Sequence, residues 1–337
     1  MLKKRNLFLV MLLIFSLAIV AYGAEYPCKL ASDTPVTTTP KYRGQERFIA
    51  RVAELTNNEV KITLYPGNQL GSSRELIEAA QMGAIQGVAV PTSTVTGFEP
   101  KMSIFDLPFL FPTPEIGYQV IESEVGDEVL ATLLPINLVG VSFYGSGWKQ
   151  LIANFDITGP EAYKGKKIRV MENPILIAQF EALGANAIPI NFGELYNALQ
   201  QNVVDGQENP IVTCHEMKFY EVQKYMALSY HAYLPNVIAF NKDWFYSLPE
   251  EYQKALVIAG KEMDKWVREE IKNQELSEFL PMMKEFGLQV RELNQADREE
   301  YTEIIQQPTR ARFLELTGEA GKDLLQKVDD KIAELQK

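Results

Sequence analysis

Arg169 stands inside an otherwise apolar segment, Lys167-Ile168-Arg169-Val170, and Asn209 closes the run Gly206-Gln207-Glu208-Asn209-Pro210 some forty residues later. An uncompensated guanidinium in an apolar strand is costly. It therefore has either a permanent acidic partner or a ligand. A guanidinium presents two parallel donors that match a carboxylate, and an amide beside it completes a carboxylate site. Asn209 has a second reading, as the residue that stabilises a turn before Pro210. Glu172, three residues past Arg169, either accepts hydrogen bonds from ligand hydroxyls or forms a surface pair.

The elements that position these residues repeat strand, helix, strand. A short strand starts after Gly165 and stops at Pro174. Ile175 to Leu183 and Phe192 to Gln201 carry apolar residues at helical spacing, and Val203 to Pro210 begins apolar and ends polar. This is βαβαβ order, predicting an α/β fold with a parallel sheet. In such a sheet ligands sit outside the carboxyl ends of the strands, where Arg169 and Asn209 fall.

The same residues carry a resemblance. Lys-Ile-Arg-Val, then Val-Asp-Gly-Gln-Glu-Asn-Pro, then Lys218-Phe219-Tyr220-Glu221-Val222-Gln223-Lys224-Tyr225 is similar to the DctP-type solute-binding proteins of TRAP transporters. Leu64-Tyr65-Pro66-Gly67-Asn68-Gln69-Leu70-Gly71, Asp106-Leu107-Pro108-Phe109-Leu110-Phe111 and Ser247-Leu248-Pro249-Glu250 extend the resemblance from about Leu30 to the C-terminus. It implies a two-lobe periplasmic binding protein fold, type II-like, each lobe a sheet flanked by helices, with hinge strands and a long lobe-spanning helix. Its arginine binds the ligand carboxylate, and its asparagine at the position of Asn209 binds ligand. Phe192 matches an aromatic beside the bound ligand, with ordinary core packing as its other reading. Asp33, Thr92 and Asn236 align with pocket-lining positions. Lys149 stands where many members carry a second arginine after a glycine; a lysine keeps the charge and loses the planar fork, so its contact is single-pointed. Members that bind sialic acid have a glutamate where Pro91 stands here.

At the N-terminus, Lys3, Lys4 and Arg5 precede an unbroken apolar run from Leu7 to Tyr22 that ends in small residues, the pattern of a secretory signal peptide over residues 1–24. Sixteen apolar residues is short for a membrane span, which needs about twenty. Cys28 is preceded by Glu-Tyr-Pro instead of the small apolar triplet of a lipoprotein, so a free periplasmic protein is expected. The full chain of 337 residues has a formal charge of −11; beyond residue 24 it holds 30 basic and 44 acidic side chains. So acidic a body argues against nucleic acid as a partner. Two cysteines, Cys28 and Cys214, far apart in sequence, are expected as separate buried thiols.

The first lobe repeats the strand–helix–strand order: a strand at Lys29–Ser32, a helix from Gln45 to Leu55, an alternating strand Val60–Tyr65, and a buried strand Gly87–Val90. Ser72 with Glu75 three residues later has the form of a capping box, which is the first reading of Glu75; the second is contact with ligand. The strand Leu138–Tyr144 runs into Gly145-Ser146-Gly147-Trp148-Lys149, where the glycines let the chain cross between lobes, and a second crossing is placed near Pro235. Residues 25–147 plus 237–275 are assigned to lobe I and 148–236 plus 276–337 to lobe II. Leu324, Leu325, Val328, Ile332 and Leu335 mark a C-terminal helix.

The expected function is that of an extracytoplasmic solute-binding subunit. It captures a small organic acid and delivers it to the small and large membrane subunits of a TRAP transporter, with no cofactor and as a monomer. Hinge closure would bring Asp33, Gln69 and Thr92 of lobe I onto a ligand held by Arg169, Lys149 and Asn209. Several hydrogen-bonding candidates suit a sugar acid such as a hexuronate; Arg169 and Lys149 together suit a C4-dicarboxylate. The alternatives are a ligand-sensing periplasmic module and a periplasmic enzyme. Against the enzyme, His215 and His231 lack metal spacing, and no nucleophile elbow, phosphate loop or dinucleotide fingerprint is present.

Overall fold

A computed structural model describes residues 25–337. The signal-peptide expectation falls on residues 1–24, outside the described residues. No described helix is long and apolar enough to cross a membrane.

The chain opens with β1 (Tyr26–Ser32), α1 (Pro40–Leu55), β2 (Val60–Tyr65), α2 (Ser73–Gln81) and β3 (Gly87–Pro91). Pro40 begins α1 where its missing N–H costs nothing. Phe48 and Val52 lie four residues apart on its buried stripe. Ser72 and Glu75 form the capping box of α2, each side chain bonded to the other's backbone N–H. All five residues of β3 are buried, as a strand covered on both faces requires. After α3 (Thr92–Val95) and a 3-10 segment Pro100–Asp106 come α4 (Pro114–Glu122) and α5 (Glu124–Ala131).

The strand β4 (Leu138–Ala153) is far longer than the sequence suggested. It continues through the glycines instead of ending at Tyr144, with register shifts at Gly140/Ser142 and Gly145/Trp148. Bulges absorb the bend there without ending the strand. Beyond it lie β5 (Lys167–Val170), α6 (Pro174–Ala182), β6 (Asn186–Pro189), α7 (Leu195–Gln200), β7 (Gly206–Pro210), α8 (Ile211–Glu216) and β8 (Tyr225–Leu228). The return strand β9 (Tyr233–Asn241) leads to α9 (Lys242–Ser247) and α10 (Glu250–Gln274). A π-turn Glu275–Phe279, α11 (Leu280–Phe286), β10 (Gln289–Glu292) and α12 (Gln295–Leu335) complete the chain.

The first sheet runs β2-β1-β3-β9-β4, with β1 parallel to β2 and β3, and β9 antiparallel to both β3 and β4. The second runs β4-β7-β5-β6, with β6, β5 and β7 parallel, and with β8 and β10 joined through the far end of β4. One strand therefore belongs to both sheets: Leu138–Trp148 pairs with β9, and Lys149–Ala153 pairs with β7. This mixed α/β fold has the hinge strand and the long helix that the resemblance implied. The helix α10 packs along α1 so closely that a Cβ at Gly44 would meet Val267 at 2.3 Å. From the end of the π-turn onward, Phe279, Leu280 and Met283 join the same core as Val212, Cys214 and Phe219 of the second half.

One expectation is corrected. Residues 276–337 do not lie wholly with the second half. The first turns of α12 bury Tyr301 and Ile305 beside Tyr163 and Phe180. Beyond the non-helical Gly318 (φ 60°), Leu324, Leu325, Val328 and Ile332 join the core of β3, α4 and α5, with Lys327 and Lys331 paired to Glu128 and Glu124. The apolar stripe on that stretch is complementary to the first half.

Candidate functional site

A cleft of about 740 Å³, counting its open mouth, lies between the carboxyl end of β1 on one side and those of β5 and β7 on the other. The first half lines it with Asp33, Lys41, Asn68, Ser72, Ser73, Arg74, Pro91 and Thr94. The second supplies Arg169, Met171, Glu172, Ile190, Asn191, Phe192, Asn209 and Thr213, and the hinge strands supply Ser146, Leu234 and Asn236.

Arg169 is 2% exposed. Its Nε donates to the carbonyl of Ile190 at 2.9 Å, which fixes the plane of the guanidinium. No carboxylate among the described residues lies within ion-pairing distance of it. Of the two readings of Arg169, the permanent acidic partner is not found among the described residues. Burial lowers its pKa to about 10, against the upward pull of Glu208 and Asp33, so the group stays charged at neutral pH. Asn209 faces the same cleft from β7, its Nδ2 donating to Gln207 Oε1. Asn236 lies in β9 with its Nδ2 bonded to Ser146 Oγ. Phe192 lines the cleft edge-on to Phe219 at 6.4 Å.

Asp33 follows β1 and is 7% exposed. Burial pushes its pKa up to about 6, with Lys41 opposing and Glu216 assisting. Glu172 sits at the rim, 3.9 Å from Arg74 of the other half.

Four expected contacts fall elsewhere. Lys149 is fully buried, away from the cleft lining, with Nζ 2.8 Å from Asp106 and 2.8 Å from Glu208. The charge that the sequence offered to a ligand is already neutralised. Burial alone would raise the pKa of Glu208, but Lys149 and His231 outweigh it and hold the carboxyl well below the usual range. Asn173 Nδ2 joins the cluster through Asp106 and Gln179 Nε2 through Glu208. Thr92 is buried behind the cleft wall while Thr94, half a turn on, lines it. Gln69 is exposed, and its neighbour Asn68, with φ 61°, takes the lining position. The Glu75 carboxylate is held by Ser72 N at 2.7 Å and Ser72 Oγ at 2.8 Å, so the capping reading stands.

Two cleft cations escaped the sequence reading. Arg74 spans Glu78 and Glu172. Lys41 meets Glu216 at 2.9 Å, off the hydrogen-bonding direction, while Thr39 Oγ1 and Thr37 Oγ1 donate to the other carboxylate oxygen at 2.7 and 3.0 Å. The signal that could have found Arg74 is its place in the first turn of a capped helix that follows a strand's carboxyl end; nothing in the sequence marks Lys41. Cys28 and Cys214 are both free and buried, as expected.

The arrangement is a donor-rich cleft with one uncommitted guanidinium, suited to hold a carboxylate and neutral polar groups. Comparison with known proteins agrees. The family of bacterial extracellular solute-binding proteins, family 7 (DctP), matches residues 31–315. The 2,3-diketo-L-gulonate-binding periplasmic protein YiaO of Escherichia coli is 31% identical over 87% of this chain and 88% of its own. The C4-dicarboxylate-binding periplasmic protein DctP of Rhodobacter capsulatus is 33% identical over 79% and 80%. A TRAP periplasmic solute-binding protein of Desulfovibrio salexigens, solved with bound orotic acid, superposes with a TM-score of 0.88 at 35% identity, over 92% of this chain and 99% of that one. With the fold, the cleft and these likenesses in agreement, the chain belongs to the DctP family of bacterial extracellular solute-binding proteins.

Proposed function

We propose that the protein captures a small organic acid in the periplasm by closure of the cleft and hands it to the small and large membrane subunits of a TRAP transporter. The observation that carries this reading is Arg169: buried, charged, oriented by Ile190, and without an acidic partner among the described residues. A bidentate pair with a ligand carboxylate satisfies it. Asn209 holds the same carboxylate, and Phe192 offers an apolar face to the solute's body.

The acids named for the relatives, 2,3-diketo-L-gulonate, C4-dicarboxylates and orotic acid, all bear a carboxylate. Asn68 Oδ1 and Thr213 Oγ1 of the lining are buried without a hydrogen-bond partner among the described residues, and ligand hydroxyls would supply one. Closure would bend β4 and β9 near Trp148 and Tyr233, where their pairing is already irregular.

The test is calorimetric titration of the refolded, ligand-stripped protein with hexuronates, aldonates, C4-dicarboxylates and orotate. Arg169→Ala should weaken whichever acid binds by at least about 2 kcal/mol, roughly thirtyfold. Wild-type affinity in that variant would overturn the assignment.

A further inference from the structure

Three cations line the cleft, and two of them are occupied. Lys41 is paired with Glu216 at 2.9 Å, with side chains 6% and 0% exposed. Arg74 lies at the rim against Glu78 at 3.2 Å and Glu172 at 3.9 Å, over the ring of Phe98. Among the described residues that line the cleft, only Arg169 has no acidic partner. Lys149, the other candidate, is shared between Asp106 and Glu208.

Asp33 lines the same cleft from the opposite sheet. Its one side-chain partner is Ser73 Oγ at 3.4 Å, a long contact that leaves most of the acceptor capacity unused. The groups around it are Lys41 on α1, Glu216 on α8, Tyr144 on β4 and Arg169 on β5, with Arg74 and Glu172 at the rim. Lys41 is shared with Glu216, Arg74 is paired with Glu78 and Glu172, and Arg169 is taken up by the ligand's first carboxylate, so no further cation among these is left to balance a second carboxylate beside Asp33. A second ligand carboxylate reaching it would bring two like charges together beside a side chain that is largely removed from solvent, a repulsive arrangement. A hydroxyl or an N–H in that place instead donates to a strong acceptor.

We propose that Asp33 is the specificity-determining residue of this cleft, excluding a second carboxylate and selecting acids whose end opposite Arg169 donates hydrogen bonds. This rests on the assignment of Arg169 as the carboxylate anchor. It makes the solute a monocarboxylate polyol or N–H acid, and removes the C4-dicarboxylates from the candidates at neutral pH. Burial raises Asp33 to about 6, so the barrier relaxes in acid, where the residue takes up a proton and becomes a donor itself.

The experiment uses two pairs of acids that differ only at the far end, D-galactonate with galactarate and D-erythronate with meso-tartrate. They are titrated calorimetrically into the wild-type chain, Asp33→Asn and Arg169→Ala. Expected is a preference of about tenfold or more for a monocarboxylate over its partner at about pH 7.5, falling below about threefold in Asp33→Asn through tighter binding of the dicarboxylate. In the wild type, dicarboxylate affinity should rise about fivefold or more between about pH 7.5 and 5 while that of the monocarboxylate holds, and Asp33→Asn should erase the difference. Equal binding of both members by the wild type, or no gain of dicarboxylate in Asp33→Asn, overturns the proposal. If Arg169→Ala then still loses both members, the carboxylate site stands without the selectivity. If Arg169→Ala binds like the wild type, the site reading itself falls. Circular dichroism of the isosteric Asp33→Asn confirms its fold.

Discussion

Lys41 and Glu216 come from opposite halves of the molecule and meet at 2.9 Å with their side chains 6% and 0% exposed. The pair closes the floor of the cleft next to Asp33. Thr37 and Thr39 bind the second carboxylate oxygen, so three side chains of the first half are held at one acid of the second. In the hinge motion proposed above, opening the cleft breaks this contact and rehydrates both charges.

Glu216→Gln removes one charge of a buried pair and leaves Lys41 unbalanced, a change that typically costs about 3–5 kcal/mol. Much of that cost falls on the closed state, because opening returns Lys41 to water. Ligand affinity should fall by at least about tenfold, about 1.4 kcal/mol. Small-angle scattering of the unliganded variant should show a larger radius of gyration. An unchanged affinity together with an unchanged radius would show that the contact contributes nothing to closure.

Lys149→Met strips the cation from Asp106 and Glu208 and leaves two buried carboxylates facing each other. Stability should fall by about 3–5 kcal/mol, read as a lower urea midpoint. Because Lys149 lies behind the cleft, affinity of the folded variant should stay within about threefold. A loss as large as that expected for Arg169→Ala would restore Lys149 to the binding site.

Glu275, in the π-turn, accepts from Val212 N at 3.4 Å, and burial raises its carboxyl to about 8, well above an ordinary glutamate. The folded protein therefore holds this proton more tightly than the unfolded chain. That contribution to stability is complete at pH below the ordinary value and is lost as pH rises through about 8. Glu275→Gln keeps the acceptor for Val212 without the ionisation. Its melting temperature should match the wild type near about pH 4.5 and exceed it by a few degrees near about pH 8.5, each kcal/mol moving a chain of this size by about 2–4 °C or less. Parallel curves at both ends of the range would show that Glu275 is solvated.

Local patterns and resemblance were enough for the fold and for the residues that hang directly from strands. Arg169, Asn209 and Asn236 sit in strands whose alternation and ends are written in consecutive residues, and Asp33 directly follows one. The failures are of two physical kinds. In the first, backbone twists of one residue change which side chain faces the cleft: Asn68, at φ 61°, displaces Gln69, and Thr94 replaces Thr92 at the start of α3. In the second, charges are neutralised by distant partners. Asp106 and Glu208 are 43 and 59 residues from Lys149, and Glu216 is farther still from Lys41. No local pattern announces such a pair, so in the sequence Lys149 looks free and Lys41 carries no mark. The extent of β4 was hidden because glycines that mark a break in most strands here mark bulges.

The shared strand β4 also governs the order in which the molecule can be made. Its first part pairs with β9, which emerges only after the whole cassette from β5 to β8 has been laid down, and β3 waits for the same strand across some hundred and fifty residues (Gly87 with Phe240). The second half is thus a loop inserted within the first, and its own βαβαβ contacts are near in sequence. Closing the larger loop carries the greater entropic delay. Each half has its own near pairings, β1 with β2 and β3 in the first and β5 with β6 and β7 in the second, so the costly step is the joining of β3 and β4 to β9, which completes the side of the cleft that β9 supplies.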